Sequence, residues 1–405
     1  MTRYFHLLET HNRFANGDLW RGRARGAGAG VRGHADCGSG MTRLLLVAAV
    51  ATVVMLVAAG VVSGAESHVY PGGSIQDAID GAGAGDTIYV HAGTYVENVD
   101  VDKRITLIGD GANVMTVTAA DAGDHVFEVT ADYVGISGFT ATGATGSASG
   151  GIYLSHVCHC NISESNASNN NYGIGIDHSN NNLLANNIAN LNKGYGIRLY
   201  YSSDNTLTGN TASNNDNAEY LDTSSIYLWY SNNNTLTENT ANSNDHHRGI
   251  HLYRSSDNTL TGNNVSDNNY GIAISNSNNN TFYHNNIEYN AYDDGTNQWD
   301  SGSEGNYWSD YNGTDNNTDG IGDDPHLIPG GTSIDRFPLM QPWTGGTSPK
   351  GDLNHDNQIT ADAAIALRIA ATGAHDDAAD VSGDGQVTSL DALTILKAAG
   401  RVTKL

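Results

Sequence analysis

The stretch GIRLYYSSDNTLTGN (196–210) returns as SIYLWYSNNNTLTEN from Ser225 and as GIHLYRSSDNTLTGN from Gly249. Aligned on the Ile that follows Gly or Ser, six units start at Ile152, Ile174, Ile197, Ile226, Ile250 and Ile272, in steps of 22, 23, 29, 24 and 22 residues. Two positions on stand Leu154, Ile176, Leu199, Leu228, Leu252 and Ile274. Ten positions on stand Ile162, Leu184, Leu207, Leu236, Leu260 and Phe282. Drift in a low-complexity tract does not hold apolar residues in register over six units. A period near 22 with short alternating strands describes a solenoid, each unit one coil and each apolar column turned inward.

Polar columns keep the same register. Eight positions after each anchor come Cys160, Asn182, Asn205, Asn234, Asn258 and Asn280. Thirteen after come Ser165, Asn187, Asn210, Asn239, Asn263 and Asn285. Asn at a turn tolerates left-handed backbone and bonds its own main chain. Stacked every ~4.8 Å, identical amides can also bond up the column as a ladder. So much Gly, Asn and Thr argues against long helical bundles.

These repeats resemble the parallel β-helix repeats of the NosD-like and carbohydrate-binding/sugar-hydrolase families. The resemblance implies an all-β, right-handed parallel β-helix; the spacing itself does not fix the hand. It extends upstream, where SIQDAIDGAGAGDTIYVHAGTYVENVDVDKRITLIGDG (74–111) is similar to the opening of pectate-lyase-like and NosD-like chains. There Ser74 is expected to N-cap a short helix with Ile75, Ala78 and Ile79 on one face, plugging the open end of the solenoid. AYDDGTNQWDSGSEGNYWSDY (291–311), running on to RFPLMQPW (336–343), resembles the closing segment of archaeal NosD-like surface proteins, with Trp299, Trp308 and Trp343 expected to seal the other end.

Charge narrows the partners. The chain carries 19 Lys and Arg against 44 Asp and Glu. Seven of the basic residues and three of the acids lie at or before Arg43, so 12 basic and 41 acidic residues remain beyond it. Such a surface repels nucleic acid and anionic lipid and attracts cations. Residues 41–65, MTRLLLVAAVATVVMLVAAGVVSGA, have the order of a secretory signal peptide, with Met41 as the expected start and cleavage after Ala65. An uncleaved membrane anchor is the alternative, and would be the chain's one tie to a membrane. Either way the rest is exported, secreted or held at the cell surface. Three cysteines, Cys37, Cys158 and Cys160, are too few for a disulfide framework. The expected organisation is a leader (1–65), the β-helix with its caps (66–343), a TGGTSP linker (344–349) and a small module (350–401).

That module duplicates a calcium-loop pattern. In DVSGDGQVTSLD (380–391), Asp380, Ser382, Asp384 and Asp391 fall at positions 1, 3, 5 and 12; Gly385 takes the sharp turn and Gln386 offers a backbone carbonyl. The helix expected next carries Leu393, Ile395 and Leu396. In DLNHDNQITAD (352–362), Asp352, Asn354, Asp356 and Gln358 match, Asp362 arrives one residue early, and Asn357 replaces the turn glycine. The pair resembles a type I dockerin, an α-helical Ca2+-binding module that docks to a cohesin-bearing partner. A third acidic loop places Asp315, Asn317, Asp319 and Asp323 at positions 1, 3, 5 and 9, spacing that could also hold calcium.

On a solenoid, function sits on the outward columns. One position after the anchors stand Arg198, Tyr227 and His251; three after, Asp177, Tyr200, Trp229 and Tyr253; four after, His178, Tyr201, Tyr230 and Arg254. Aromatic faces suit sugar rings and Arg suits carboxylates, so a polysaccharide or surface glycan is the expected ligand. The six extra residues between Ile197 and Ile226 would wall this groove near residues 216–222. A glycosidase would need paired carboxylates, for which Glu219 and Asp222 are candidates with Asp177 nearby; a lyase would need a base and a cation, for which Arg198, Arg254 and His251 are candidates. The alternatives to a binding surface are therefore a polysaccharide lyase or glycoside hydrolase, or a structural surface protein. SHVCHCN (155–161) adds soft copper ligands in His156, Cys158, His159 and Cys160, although alternate strand residues face opposite ways.

Overall fold

The computed structural model describes residues 64–215, 223–242, 244–288 and 290–345, and beyond them positions 379, 387–389, 392 and 395. A break between compact units falls between Pro338 and Leu339.

The first unit is a right-handed parallel β-helix. One face is a ten-stranded parallel sheet running from Glu66–Val69 to Thr281–Tyr283. A second, nine-stranded face runs from Val99–Val101 to Tyr292–Asp293. A third face begins as three strands, Gly93–Val96, Met115–Thr118 and Thr140–Thr142. It continues as single bridges through Asn166, Ile188, Thr211 and Thr240 to Asn264. The expected register is the observed one: Ile152, Ile174, Ile197, Ile226, Ile250 and Ile272 pair coil to coil. Leu184, Leu207, Leu236, Leu260 and Phe282 do the same on the ten-stranded face. All of these are fully buried, each contributing roughly 1.5–3 kcal/mol relative to exposure.

Both ends are plugged. Helix α1, Ile75–Gly81, starts at Ser74, whose hydroxyl accepts from Asp77 N, and buries Ile75 and Ile79. Glu97 from the next coil completes the cap by accepting from Ser74 Oγ, Ile75 N and Gln76 N. At the far end Trp299 stacks on Phe282 at 4.3 Å and Trp308 on His326 at 4.3 Å. Trp343 falls beyond the break between the units.

The Asn columns form ladders, but with a division of labour the sequence reading did not anticipate. The left-handed residues are Asn181, Asp204, Asn233, Asp257 and Asn279, each one position before a ladder Asn. The turn is made there, which frees the next side chain to point inward. Asn205 then gives both its backbone N and its Nδ2 to Asn234 Oδ1, at 2.9 and 3.2 Å. The pattern repeats from Asn234 to Asn258 and from Asn258 to Asn280. A third ladder joins Asn170, Asn192 and Asn215. A serine ladder joins Ser179, Ser202, Ser231, Ser255 and Ser277 through backbone N to Oγ bonds of 2.9–3.1 Å.

In the second unit Ser389, Ala392 and Ile395 are helical, and Ala392 and Ile395 are buried. That is where the helix after the second loop was expected. The loop ligands Asp352, Asn354, Asp356, Gln358, Asp362, Asp380, Ser382, Asp384, Gln386 and Asp391 lie outside the described residues.

Candidate functional site

The nine-stranded face carries three side-chain rows. In the first, Arg198, Tyr227 and His251, expected as an outward row flanking the aromatic stripe, are covered. They are 7%, 3% and 3% exposed. Tyr227 is enclosed between Tyr195 at 4.9 Å and His251 at 4.8 Å, and Arg198 lies 4.5 Å over Tyr200. Side chains this large, one coil spacing apart, cover one another. Glu219 and Asp222, the candidate acid pair, lie outside the described residues.

The middle row is Asp177, Tyr200, Trp229 and Tyr253, paired in register. Its three aromatics are half-buried and meet edge to face, at 5.4 Å between Tyr200 and Trp229 and 5.9 Å between Trp229 and Tyr253.

The outer row is His156, His178, Tyr201, Tyr230 and Arg254, all with positive φ between 47° and 57°. These residues end their strands and turn outward. Their rings stack face to face: His156 on His178 at 5.0 Å, His178 on Tyr201 at 5.1 Å, Tyr201 on Tyr230 at 4.8 Å. Arg254 closes the stack over Tyr230 and donates to its hydroxyl. The aromatic faces are therefore spent on each other. What faces solvent is a ridge of edges carrying imidazole nitrogens, phenol hydroxyls and a guanidinium.

At the lower end of the ridge Asp177 and His178, placed on separate columns by the sequence, come together with Tyr153. Asp177 Oδ1 meets His178 Nδ1 at 2.5 Å, and Asp177 Oδ2 accepts from Tyr153 OH at 2.7 Å. Tyr153 in turn stacks on His125 at 4.1 Å. Gly175 makes the space: a Cβ there would sit 2.7 Å from the Tyr153 ring. Burial tends to raise the Asp177 pKa, but the bonds from His178 and Tyr153 outweigh it and hold the carboxyl below its usual range. Burial, with Asp177 beside it, pushes the Tyr153 phenol far up. Burial also pushes Glu128, one coil before Tyr153, up.

The soft-ligand segment separates. His156 joins the outer ridge, His159 stacks on Tyr133 at 4.8 Å, and Cys160 is buried with its thiol pushed up to about 11 by desolvation. In the acidic cap loop the carboxylates engage the loop's own amides. Asp315 accepts from Asp319 N and Gly320 N, Asp319 from Ile321 N, and Asp323 from Asn316 N, while Asn317 donates to Asp319. Among the described residues no three His, Cys, Asp or Glu side chains converge as a metal-holding group.

The chain is thus a parallel β-helix whose nine-stranded face carries an aromatic and basic outer ridge. Residues 82–313 match the family model described as periplasmic copper-binding protein (NosD), and residues 350–398 match the type I dockerin domain. The chain belongs to the NosD family and carries a type I dockerin. Among solved structures it is similar to an alginate lyase from Paenibacillus sp. str. FPU-7, at 17% identity over 60% of this chain and 98% of that one, TM-score 0.48. It is also similar to pectate lyase Pel9A, at 15% identity over 75% and 86%, TM-score 0.42. A third is tailspike protein 2 of an Escherichia coli O157:H7 bacteriophage, at 16% identity over 66% and 46%, TM-score 0.48. These are likenesses in the winding of the chain. No curated protein sequence matches.

Proposed function

We propose that this protein is an extracellular or periplasmic docked module. Its dockerin attaches to a cohesin-bearing partner in the presence of Ca2+, and its β-helix offers the outer ridge to a polysaccharide. The observation that carries the glycan half is the ridge itself: four stacked rings closed by Arg254, outside a core already filled by aliphatics. The stacking holds Tyr201 OH, Tyr230 OH and Arg254 at fixed intervals of one coil, so hydrogen bonding to sugar hydroxyls and carboxylates costs little ordering entropy. Contact is edge-on and polar, with Tyr200, Trp229 and Tyr253 as the half-buried floor. The calcium half rests on the ligand spacing at Asp380, Ser382, Asp384 and Asp391 and on the dockerin match.

The test uses the full chain. Affinity electrophoresis through gels holding neutral or uronate polysaccharides should retard it, and an immobilised type I cohesin should capture it with calcium and release it with chelator. Free migration through every gel would remove the glycan reading. Capture unaffected by chelator, or none, would remove the docking reading.

A further inference from the structure

We propose that Asp177 and His178 form a carboxylate–imidazole dyad whose exposed Nε2 is a general base, cleaving uronate-containing polysaccharides by β-elimination. This rests on the glycan-binding reading above and adds chemistry to it.

The geometry is that of an oriented base. His178 Nδ1 is held by Asp177 Oδ1, so the ring presents Nε2 as its second nitrogen, and Nε2 has no hydrogen-bond partner among the described residues. The ring cannot swing, because His156 and Tyr201 cover its two faces at 5.0 and 5.1 Å. Its side chain is 36% exposed while that of Asp177 is 14% exposed, so the base meets solvent and its orienter does not. An acceptor-only carboxylate behind an imidazole fixes the tautomer and stabilises the imidazolium that proton uptake produces.

The alternative use of Asp177, as a hydrolase acid, is opposed by its partners. Both its oxygens already accept bonds and its pKa is lowered, so it has no proton to give. Elimination asks for a base near neutral pH and positive charge near the sugar carboxylate. Arg198 supplies positive field behind Asp177, and Arg254, three coils on, caps the same ridge. The coil spacing of ~4.8 Å is comparable with the rise of one sugar in an extended pyranose chain, so the polymer would run along the ridge, one sugar per coil. In the step, Nε2 takes the C5 proton and the C5–H pair becomes the C4=C5 double bond. The C4–O4 bond breaks with its electrons on O4, which takes a proton from the imidazolium or water. No oxidant or reductant is consumed. Tyr153 and Asp177 are positioning residues.

The full chain is incubated with polygalacturonate and with alginate, and the near-ultraviolet absorbance of the new double bond is followed against pH. Facing His178 are Asp177 on its own strand, His156 from the coil before, and Tyr200 and Tyr201 from the coil after, with Tyr153 and Arg198 behind Asp177. The expected result is absorbance growth on one polymer. His178→Gln should reduce it roughly 10²–10⁴-fold, far more than the several-fold loss of gel retardation expected from one altered ridge residue. Asp177→Asn should slow the growth and Asp177→Glu, which keeps an acceptor-only carboxylate, should restore part of it, a rescue that a purely structural role would not give. Retardation without absorbance growth overturns the proposal and leaves glycan binding standing. Full activity in folded His178→Gln also overturns it. No retardation and no cleavage removes both.

Discussion

Asn306 gives its backbone N and its Nδ2 to one atom, Asp335 Oδ2, at 2.7 and 3.4 Å. In every earlier rung of that ladder the acceptor is another asparagine, as Asn285 to Asn306 shows. The sister ladder ends alike, Asn297 Nδ2 on Asp293 Oδ1 at 2.8 Å. Both carboxylates also accept an indole N–H, from Trp308 and Trp299. A column in which each amide donates toward the C-terminal end leaves its last rung with donors to spare. A group that only accepts is the fitting terminus.

Asp335→Asn tests this terminus. Asp335 Oδ2 faces Asn306 and Trp308, and Oδ1 faces Phe337 N. An amide must turn its NH2 toward one of these donors. The expected cost at pH 7 is about 1–3 kcal/mol, read as a lower urea midpoint.

Burial raises the Asp335 pKa to about 6. Its folded pKa exceeds its unfolded one, so its contribution is fully present below the ordinary carboxylate value and fades as pH rises through about 6. The span is up to about 3 kcal/mol. Wild type minus Asp335→Asn should show that loss between pH 4 and 7; parallel curves would refute it.

His125 works in the opposite sense. Desolvation lowers its pKa to about 4, and Gly150 N donates to its Nδ1. Its contribution is present above the ordinary imidazole value and is lost as pH falls toward 4, by up to about 3 kcal/mol. His125→Phe, which keeps a ring against Tyr153, should lose stability at pH 7 and flatten the acid limb of the melting curve.

Asn234→Ala removes the acceptor of Asn205 N and Asn205 Nδ2 together. Asn205 N is stranded, at about 1–3 kcal/mol, while Asn205 Nδ2 keeps Ser179 O and Ser203 O. Thr235→Ala, one residue on and outward-facing, should stay within about 0.5 kcal/mol. Equal denaturant midpoints for the two variants would contradict the ladder's role.

Tyr230→Phe separates stacking from binding. It keeps the ring on Tyr201 but deletes the hydroxyl that Arg254 engages. Melting temperature should hardly move, while polysaccharide retardation should weaken several-fold. Undiminished retardation would exclude the Tyr230 edge from the contact.

The coil register and the two tryptophan plugs could be read from residues because burial imposes period two on a strand and one coil on the next. Three things could not. The turn falls one residue before each ladder Asn, since a side chain cannot both serve the turn and point inward. Arg198, Tyr227 and His251 point away from the core and are buried all the same, because outward side chains of that size roof one another. Asp177 and His178, neighbours in sequence, were read on separate columns. The alternation rule stops where the strand ends, and at φ 47° His178 turns back to its own neighbour. The serine ladder was visible as Ser179, Ser202, Ser231, Ser255 and Ser277 at constant offset, a signal lost among so many serines.

The one-way rungs also make the coils interchangeable. Any turn that presents an amide to the turn before it will fit, so whole turns can be gained or removed by in-frame duplication without disturbing their neighbours. The near-copies at 196–210 and 249–263 fit that history. The reach of this protein is then decided not by any one coil but by where a carboxylate replaces an amide and calls the stack to a halt.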